Sequence, residues 1–245
     1  MKADPQVQRR LLDLQAIDTA LAQLAHRRRS LPERAELEAL ARELSALEDE
    51  RVRAQVAVDD LDRDIARMEK DVDQVRARKV KDENRLAAGT GPARELEALQ
   101  HELVSLNRRQ SDLEDAELEL MEQRETAQSV LDGVEQRLAE ARERRAGTEQ
   151  RRDDSLAEIG REEEFKRSAR QPLANDLPAD LVQLYDRIRT DTGLGAALLA
   201  AGRCGGCRLE LSGADLARIR KADADEVVRC EDCRRIMVRT NESGL

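Results

Sequence analysis

The sequence predicts a mainly α protein in which a long antiparallel coiled-coil hairpin precedes a small C-terminal β module closed by four cysteines. Three observations carry this prediction. Apolar residues recur at alternating steps of three and four over much of residues 1–170; one Gly/Pro cluster, Gly89-Thr90-Gly91-Pro92, divides that pattern; and the only cysteines form two C-x2-C pairs near the C-terminus. Composition agrees: of 245 residues, 39% are charged and 1% aromatic, with no Trp, one Phe and one Tyr. Such a chain cannot fill a large globular core, whereas its richness in Ala, Leu, Glu and Arg suits long helices.

Taken in order, Leu14, Ile17, Leu21, Leu24 and Leu31 form a first helical seam that Pro32 ends. A second seam follows at Leu37, Leu40, Leu44 and Leu47, and after Arg51 continues through Ala54, Val58, Leu61, Ile65, Met68, Val72 and Val75. This is heptad spacing. Gly89 and Gly91 permit a chain reversal, and Pro92 suits a first helical turn. The returning seam reads Leu96, Leu99, Leu103, Leu106, Leu113, Leu120, Ala127, Leu131, Val134, Leu138 and Ala141. Folding the chain at the Gly/Pro cluster puts Leu86 opposite Leu96, Val75 opposite Leu106, Met68 opposite Leu113, Leu61 opposite Leu120 and Leu47 opposite Val134. One register satisfies all these pairs, so an intramolecular hairpin explains the pattern better than a parallel dimer. At about 1.5 Å per residue the arm from Leu37 to Ala88 spans about 78 Å, which predicts a rod.

Gln110, Glu117 and Arg124 occupy seam positions of the returning arm, opposite Val72, Ile65 and Val58, and predict looser packing at mid-length. The first helix is expected beside the far end of the returning arm, near Leu156 and Ile159, an arm that should run to about Ala169. Pro172 and Pro178 mark a linker, residues 180–189 read as an amphipathic helix with Tyr185 as a packing residue, and Ala196–Ala201 reads as a strand. The division is thus a rod over 1–170 with its tip near 89–92, a linker helix and first strand over 171–201, and a four-cysteine module over 202–245.

Cys204-Gly205-Gly206-Cys207 and Cys230-Glu231-Asp232-Cys233 can deliver two thiolates each from tight loops, the donor set of a tetrahedral Zn²⁺. The long spacer is explained by a short helix over Ser212–Ala222, with Leu216 and Ile219 on its apolar side. A redox dithiol would be expected to open a helix within a βαβ pattern, and none is visible. The first residues carry no secretory signal pattern, so a reducing, cytoplasmic compartment is expected and structural disulfides are not. Gly205 and Gly206 are expected to supply positive φ and amides aimed at sulfur. With four sulfur ligands no position is open for water, so one structural Zn²⁺ per chain is expected rather than a catalytic one. The fold class is a long antiparallel coiled-coil hairpin followed by a small C-terminal β zinc ribbon.

The coiled-coil hairpin, the segment LYDRIR, CGGC and VVRCEDCRRIMVR together resemble the bacterial C4-type zinc-ribbon family that carries an N-terminal coiled-coil hairpin, over nearly the whole chain. The family's second knuckle usually reads C-P-x-C-G-R-I-L-Y; here Glu231, Arg234 and Met237-Val238 replace Pro, Gly and Leu-Tyr, while Arg235-Ile236 is kept. Arg94-Glu95-Leu96-Glu97-Ala98-Leu99-Gln100-His101-Glu102 is similar to the family's K-E-x-x-A-L-x-x-E pattern at the hairpin tip. The resemblance implies an adaptor or chaperone; some members are described as binding an alternative sigma factor, flagellar or secretion components, or messenger RNA.

No catalytic constellation emerges. There is no P-loop or G-x-G-x-x-G, and His26 and His101 sit on charged helices, so no enzyme and no small-molecule substrate is expected. The longest apolar stretch, Ala196–Ala201, is far below the roughly 20 residues of a membrane span. Net charge is −9, yet residues 203–239 hold nine basic and seven acidic side chains, so any cationic surface there must be local. Two classes remain. One is a protein-interaction adaptor working through the ends of the rod. The other is an RNA- or DNA-binding protein using Arg203, Arg208, Arg234, Arg235 and Arg239 of the ribbon and a tip cluster of Arg76, Arg78, Lys79, Lys81, Arg85 and Arg94, without aromatic platforms for single-strand reading.

Overall fold

The computed structural model describes residues 1–245. Its elements run α1 (Pro5–Arg29), α2 (Pro32–Ala88), α3 (Ala93–Asn175), α4 (Ala179–Thr192), β1 (Ala196–Ala200), β2 (Arg203–Cys204), α5 (Gly213–Lys221) and β3 (Ile236–Val238). The chain forms two compact units, residues 35–149 and residues 1–34 with 150–245.

The unit 35–149 is the antiparallel hairpin. Its turn follows from Gly89, whose φ of 62° few L-residues adopt and whose amide donates to Leu86 O at 3.1 Å. Pro92 then ends the turn, its carbonyl accepting from the Glu95 amide at 2.9 Å. The predicted register holds: Leu47, Val134, Leu138 and Ala141 form one buried cluster with Leu44 against it. Cross-hairpin pairs Arg144–Glu43, Arg142–Glu48, Arg137–Glu50, Arg124–Asp62, Arg76–Glu114 and Arg78–Glu102 track the seam within one chain. At mid-length Val58 and Val72 are buried, but outside that contiguous cluster. Here Arg124 reaches out to Asp62 at 3.0 Å, and Gln110 donates to Glu114 at 2.8 Å while accepting from Lys79. Gln110 and Arg124 thus direct their polar ends to charged partners beside the seam.

The other unit gathers α1, the end of α3, α4 and the sheet. Asp4 caps α1 by accepting from the Gln6 amide, and Pro5 opens the helix without wasting a donor. Leu11 and Leu14 of α1 meet Leu177, Leu181, Tyr185 and Ile188 of the α4 region and Ala196, Ile236 and Val238 of the sheet in one core. Farther along α1, Leu24 and Leu31 pack with Ile159 and Leu156, as the seams predict. The returning helix continues beyond Ala169 and through Pro172 to Asn175. Pro172 costs a backbone hydrogen bond there, but Leu173 and Ala174 pack against the core and hold the last turn in place. Gly193, at φ 82°, ends α4 in a left-handed cap.

A buried polar network ties this unit together. Asp18, only 4% exposed, accepts from Arg170 Nε at 2.7 Å and from the Tyr185 hydroxyl at 2.8 Å. Arg170 also donates to Asp186 at 2.7 Å, while Gln15 Oε1 accepts from the amides of Gly195 at 2.7 Å and Ala196 at 3.2 Å. Burial first, and then the Asp18 carboxylate, pushes the Tyr185 hydroxyl well above the ordinary phenol range. Gly195 is required by crowding: a Cβ there would stand 2.5 Å from the Tyr185 ring.

The sheet order is β2-β1-β3, with β1 antiparallel to β2 and parallel to β3. Bridges Arg203–Glu210 and Arg229–Ile236 close one small hairpin around each cysteine pair. Between them lies α5, capped by Ser212, whose hydroxyl accepts from the Asp215 amide at 3.1 Å, with Ile219 fully buried. The segment at 225–227 pairs with the first residues: Ala3 N–H donates to Asp225 O and Val227 N–H to Met1 O. No helix is long and apolar enough to cross a membrane.

Candidate metal centre and cationic surfaces

The two knuckles share one backbone frame. In the first, the Arg208 amide donates to Cys204 O at 2.7 Å and the Cys204 amide to Leu209 O at 3.0 Å. In the second, the Arg234 amide donates to Cys230 O at 2.9 Å and the Cys230 amide to Arg235 O at 3.0 Å. The amides of Cys207 and Gly206 act to lower the Cys204 thiol and those of Cys233 and Asp232 the Cys230 thiol, in each case against a larger rise from burial. The dihedral role expected of the glycines is not theirs. Neither knuckle glycine has positive φ; that conformation falls on Arg208 at 64° and Arg234 at 62°, the residues just after each cysteine pair. Gly205 and Gly206 are needed for closeness instead, since added Cβ atoms would stand 2.7 Å from Leu198 O and 2.6 Å from Arg235 Cδ.

The four Sγ atoms lie within 4.8 Å of one another. Cys204–Cys233 and Cys207–Cys230 are separated by 3.8 and 3.9 Å. A tetrahedron with Zn–S bonds of about 2.3 Å has edges of about 3.8 Å, whereas a disulfide bond is about 2.0 Å long. The spacing therefore fits a metal held by four thiolates. Burial pushes the Cys204 thiol up and the Cys230 thiol up to about 12. At Cys233 burial acts the same way, but the Arg235 amide and neighbouring thiols outweigh it and lower the value. Apart from a cation, the cluster favours protons on buried sulfur; a divalent ion replaces them and neutralises the thiolates. Cys204 and Cys230 lie in a small core with Leu199, Leu211, Ile219, Val228 and Met237, so the site is closed as a structural one should be.

Residues 14–193 match the CT398-like coiled coil hairpin domain and residues 203–237 the C4-type zinc ribbon domain. The chain belongs to the CT398-like coiled-coil hairpin family. A relative in Mycobacterium tuberculosis (strain ATCC 25618 / H37Rv), described as an uncharacterized protein, is 40% identical over 239 residues, covering 98% of both chains. A solved structure from Mycobacterium smegmatis is 35% identical with a TM-score of 0.85, covering 98% of this chain and 100% of that one. The structure of CT398 from Chlamydia trachomatis, at 21% identity and a TM-score of 0.63 over 95% of this chain and 97% of that one, shares the fold. In this family member the zinc ribbon carries the donor set for one structural Zn²⁺.

The ribbon arginines differ in their engagements. Arg239 donates to the carbonyls of Ile219, Ala222, Asp223, Ala224 and Glu226, so its guanidinium is committed to the backbone. Arg235 donates to Thr192 O at 2.8 Å and packs on Gly206, and Arg203 pairs with Glu210 at 3.5 Å. Arg208 and Arg234 are exposed and their side chains have no carboxylate within ion-pair distance.

The tip cluster also divides. Arg76 pairs with Glu114, Arg78 with Glu102, and Lys79 donates to Gln110. Lys81, Arg85 and Arg94 have no ion pair and are exposed. Within the family's tip pattern, Glu102 is the partner of Arg78, Leu96 and Leu99 are half-buried, and Ala98 is exposed. The network of Gln15, Asp18 and Arg170, which holds the strand leading into the ribbon, has no distinguishing sequence signal: these residues look like any solvated helix side chains.

Proposed function

We propose that this protein is a non-catalytic, cytoplasmic zinc-binding adaptor or chaperone-like scaffold that engages protein partners through the hairpin tip and the ribbon. The observation that carries this reading is the cationic and partly apolar surface at the hairpin turn. Lys81, Arg85 and Arg94 around the turn have no ion pair and stand near half-buried Leu96 and Leu99 and the 54% exposed Val80. Apolar surface rimmed by charge suits a protein contact, in which the charges steer the partner and set its register. The test is affinity purification from the native organism with and without nuclease, using the full chain and a chain whose 77–103 tip is replaced by a short helical turn. Partners that survive nuclease and depend on the tip support the adaptor; retention of every partner after both tip and ribbon are removed overturns it.

A second reading, nucleic-acid binding by the ribbon, rests on Arg208 and Arg234. Both hold the unfavourable positive-φ position of a knuckle and both present unpaired guanidinium groups. Arg208→Glu with Arg234→Glu would then weaken RNA or DNA binding across sequences, and affinity would fall steeply with salt. Unchanged binding in that variant removes this reading.

A further inference from the structure

A groove of about 510 Å³ opens at the hairpin tip between the last turns of α2 and the first turns of α3. Its apolar lining is Ala77, Val80, Ala88, Leu96 and Leu99, and Val80 is 54% exposed. The apolar seam is interrupted here. Beyond Val75 the seam positions of α2 hold Lys79 and Asp82 before Leu86, so by the hairpin register Leu99 falls opposite a carboxylate rather than an apolar partner. Asp82 is only 5% exposed, the oxygen that lacks a hydrogen bond lies 3.9 Å from Arg78 Nε, and Leu96 and Leu99 remain half-buried. Farther down, Val72 and Leu113 close to 1% and 5% exposure.

Lys81 and Arg85 line the same groove without carboxylate partners, while Glu95 is its one acidic lining residue. The walls are two helices whose backbone groups are already bonded. An extended peptide laid between them would find no donors or acceptors for its own amides, whereas a helix satisfies its backbone internally. From Ala77 to Ala88 the α2 wall is about 16 Å long, or about three helical turns.

We propose that this groove docks an amphipathic helix of about three turns from a partner protein, with apolar side chains at i, i+3 or i+4, and i+7 seated against Val80, Leu96 and Leu99, and with acidic side chains reaching Lys81 and Arg85. It deepens the adaptor reading and rests on it. The docked helix completes a local three-helix contact that the tip sequence leaves unfinished. The acidic flank gives the orientation and the apolar anchors give the residence time.

The test uses the full-length protein and a fluorescein-labelled helical peptide of 14 residues carrying Leu at the anchor positions and Glu beside them, with a control peptide in which Lys replaces each Glu. Saturable binding of the acidic peptide, at least tenfold weaker for the basic one, is expected. Lys81→Glu with Arg85→Glu should reverse that preference, and Val80→Asp should weaken the acidic peptide at least tenfold; each variant keeps its far-UV helical signal because all three side chains are exposed. Equal binding of the two peptides, indifference to the charge reversal, displacement of the peptide by an RNA 12-mer, or a peptide signal explained by self-association in sedimentation each overturns the groove as a helix site. The two readings separate in the native pull-down. Partners lost on tip replacement but kept by the Lys81→Glu, Arg85→Glu and Val80→Asp variants leave the adaptor standing and remove the groove, whereas partners indifferent to loss of both the tip and the ribbon remove both.

Discussion

The hairpin and the ribbon-bearing unit spend their side chains in opposite ways. Along the hairpin a narrow seam of single apolar residues is flanked by ion pairs with both partners well exposed, such as Arg137–Glu50 and Arg144–Glu43. Each such pair adds little in water, and stability is spread over many small contributions. In the other unit stability is concentrated: four sulfurs share one centre, Asp18 is enclosed by Arg170 and Tyr185, and Arg239 gathers five carbonyls. A region built from many weak terms tolerates substitution, whereas one built from a few strong centres fails at any of them.

This contrast can be broken in a definite order. The largest effect is expected from the metal. Structural zinc contributes about 10–16 kcal/mol in zinc-finger peptides. Chelation or Cys207→Ser should therefore abolish zinc content and collapse the dispersion of the amide NMR signals of the two knuckles, residues 203–210 and 229–235, while far-UV helicity largely persists; a ribbon spectrum indifferent to metal loss would sink the concentrated picture. Next comes Arg170→Met, which strips the main partner from a buried carboxylate and should cost about 3–5 kcal/mol in denaturant unfolding of that unit. Adding Asp18→Asn should recover part of the loss, because the two side chains act as a pair.

In the hairpin, Leu138→Ala removes a side chain only 2% exposed from its one contiguous cluster and should cost about 2–4 kcal/mol. Leu96→Ala at the open tip should cost much less, and parity between the two would mean the tip is as closed as the base. Arg234→Gly should stabilise the ribbon by about 1 kcal/mol, because glycine accepts the left-handed conformation that a side chain resists. Arg137→Ala should leave the melting temperature unchanged at physiological salt, and a clear drop would show that the hairpin too has privileged charges.

What the sequence makes legible follows the same divide. Heptad spacing, the Gly/Pro turn and the C-x2-C pairs are local patterns, so the hairpin, its register and the cysteine cluster could be read from one chain. The parallel pairing of β1 with β3 and the insertion of Met1–Ala3 beside residues 225–227 join distant segments that no local pattern links. Asp18 and Arg170, 152 positions apart, are indistinguishable in sequence from the solvated charges around them. Arg208 and Arg234 read as surface cations, and only the backbone reveals that they sit where glycine is at ease.

Arg239 has a consequence for what kind of object the ribbon is. Its guanidinium draws in the carbonyls of Ile219 and Ala222 at the end of α5 and those of Asp223, Ala224 and Glu226 beyond it. These carbonyls include acceptors that a helix terminus leaves unsatisfied. The ribbon thus has two cationic nuclei with complementary tastes: a soft ion that sulfur would hold, and a hard, covalently tethered one held by oxygen. The first can be exchanged, competed for or stripped by a chelator. The second is written into the gene, and a lysine cannot stand in for it because a single ammonium lacks the planar fan of donors that reaches five oxygens at once. Loss of metal should therefore release the knuckles while leaving the segment after α5 gathered around its own permanent ion.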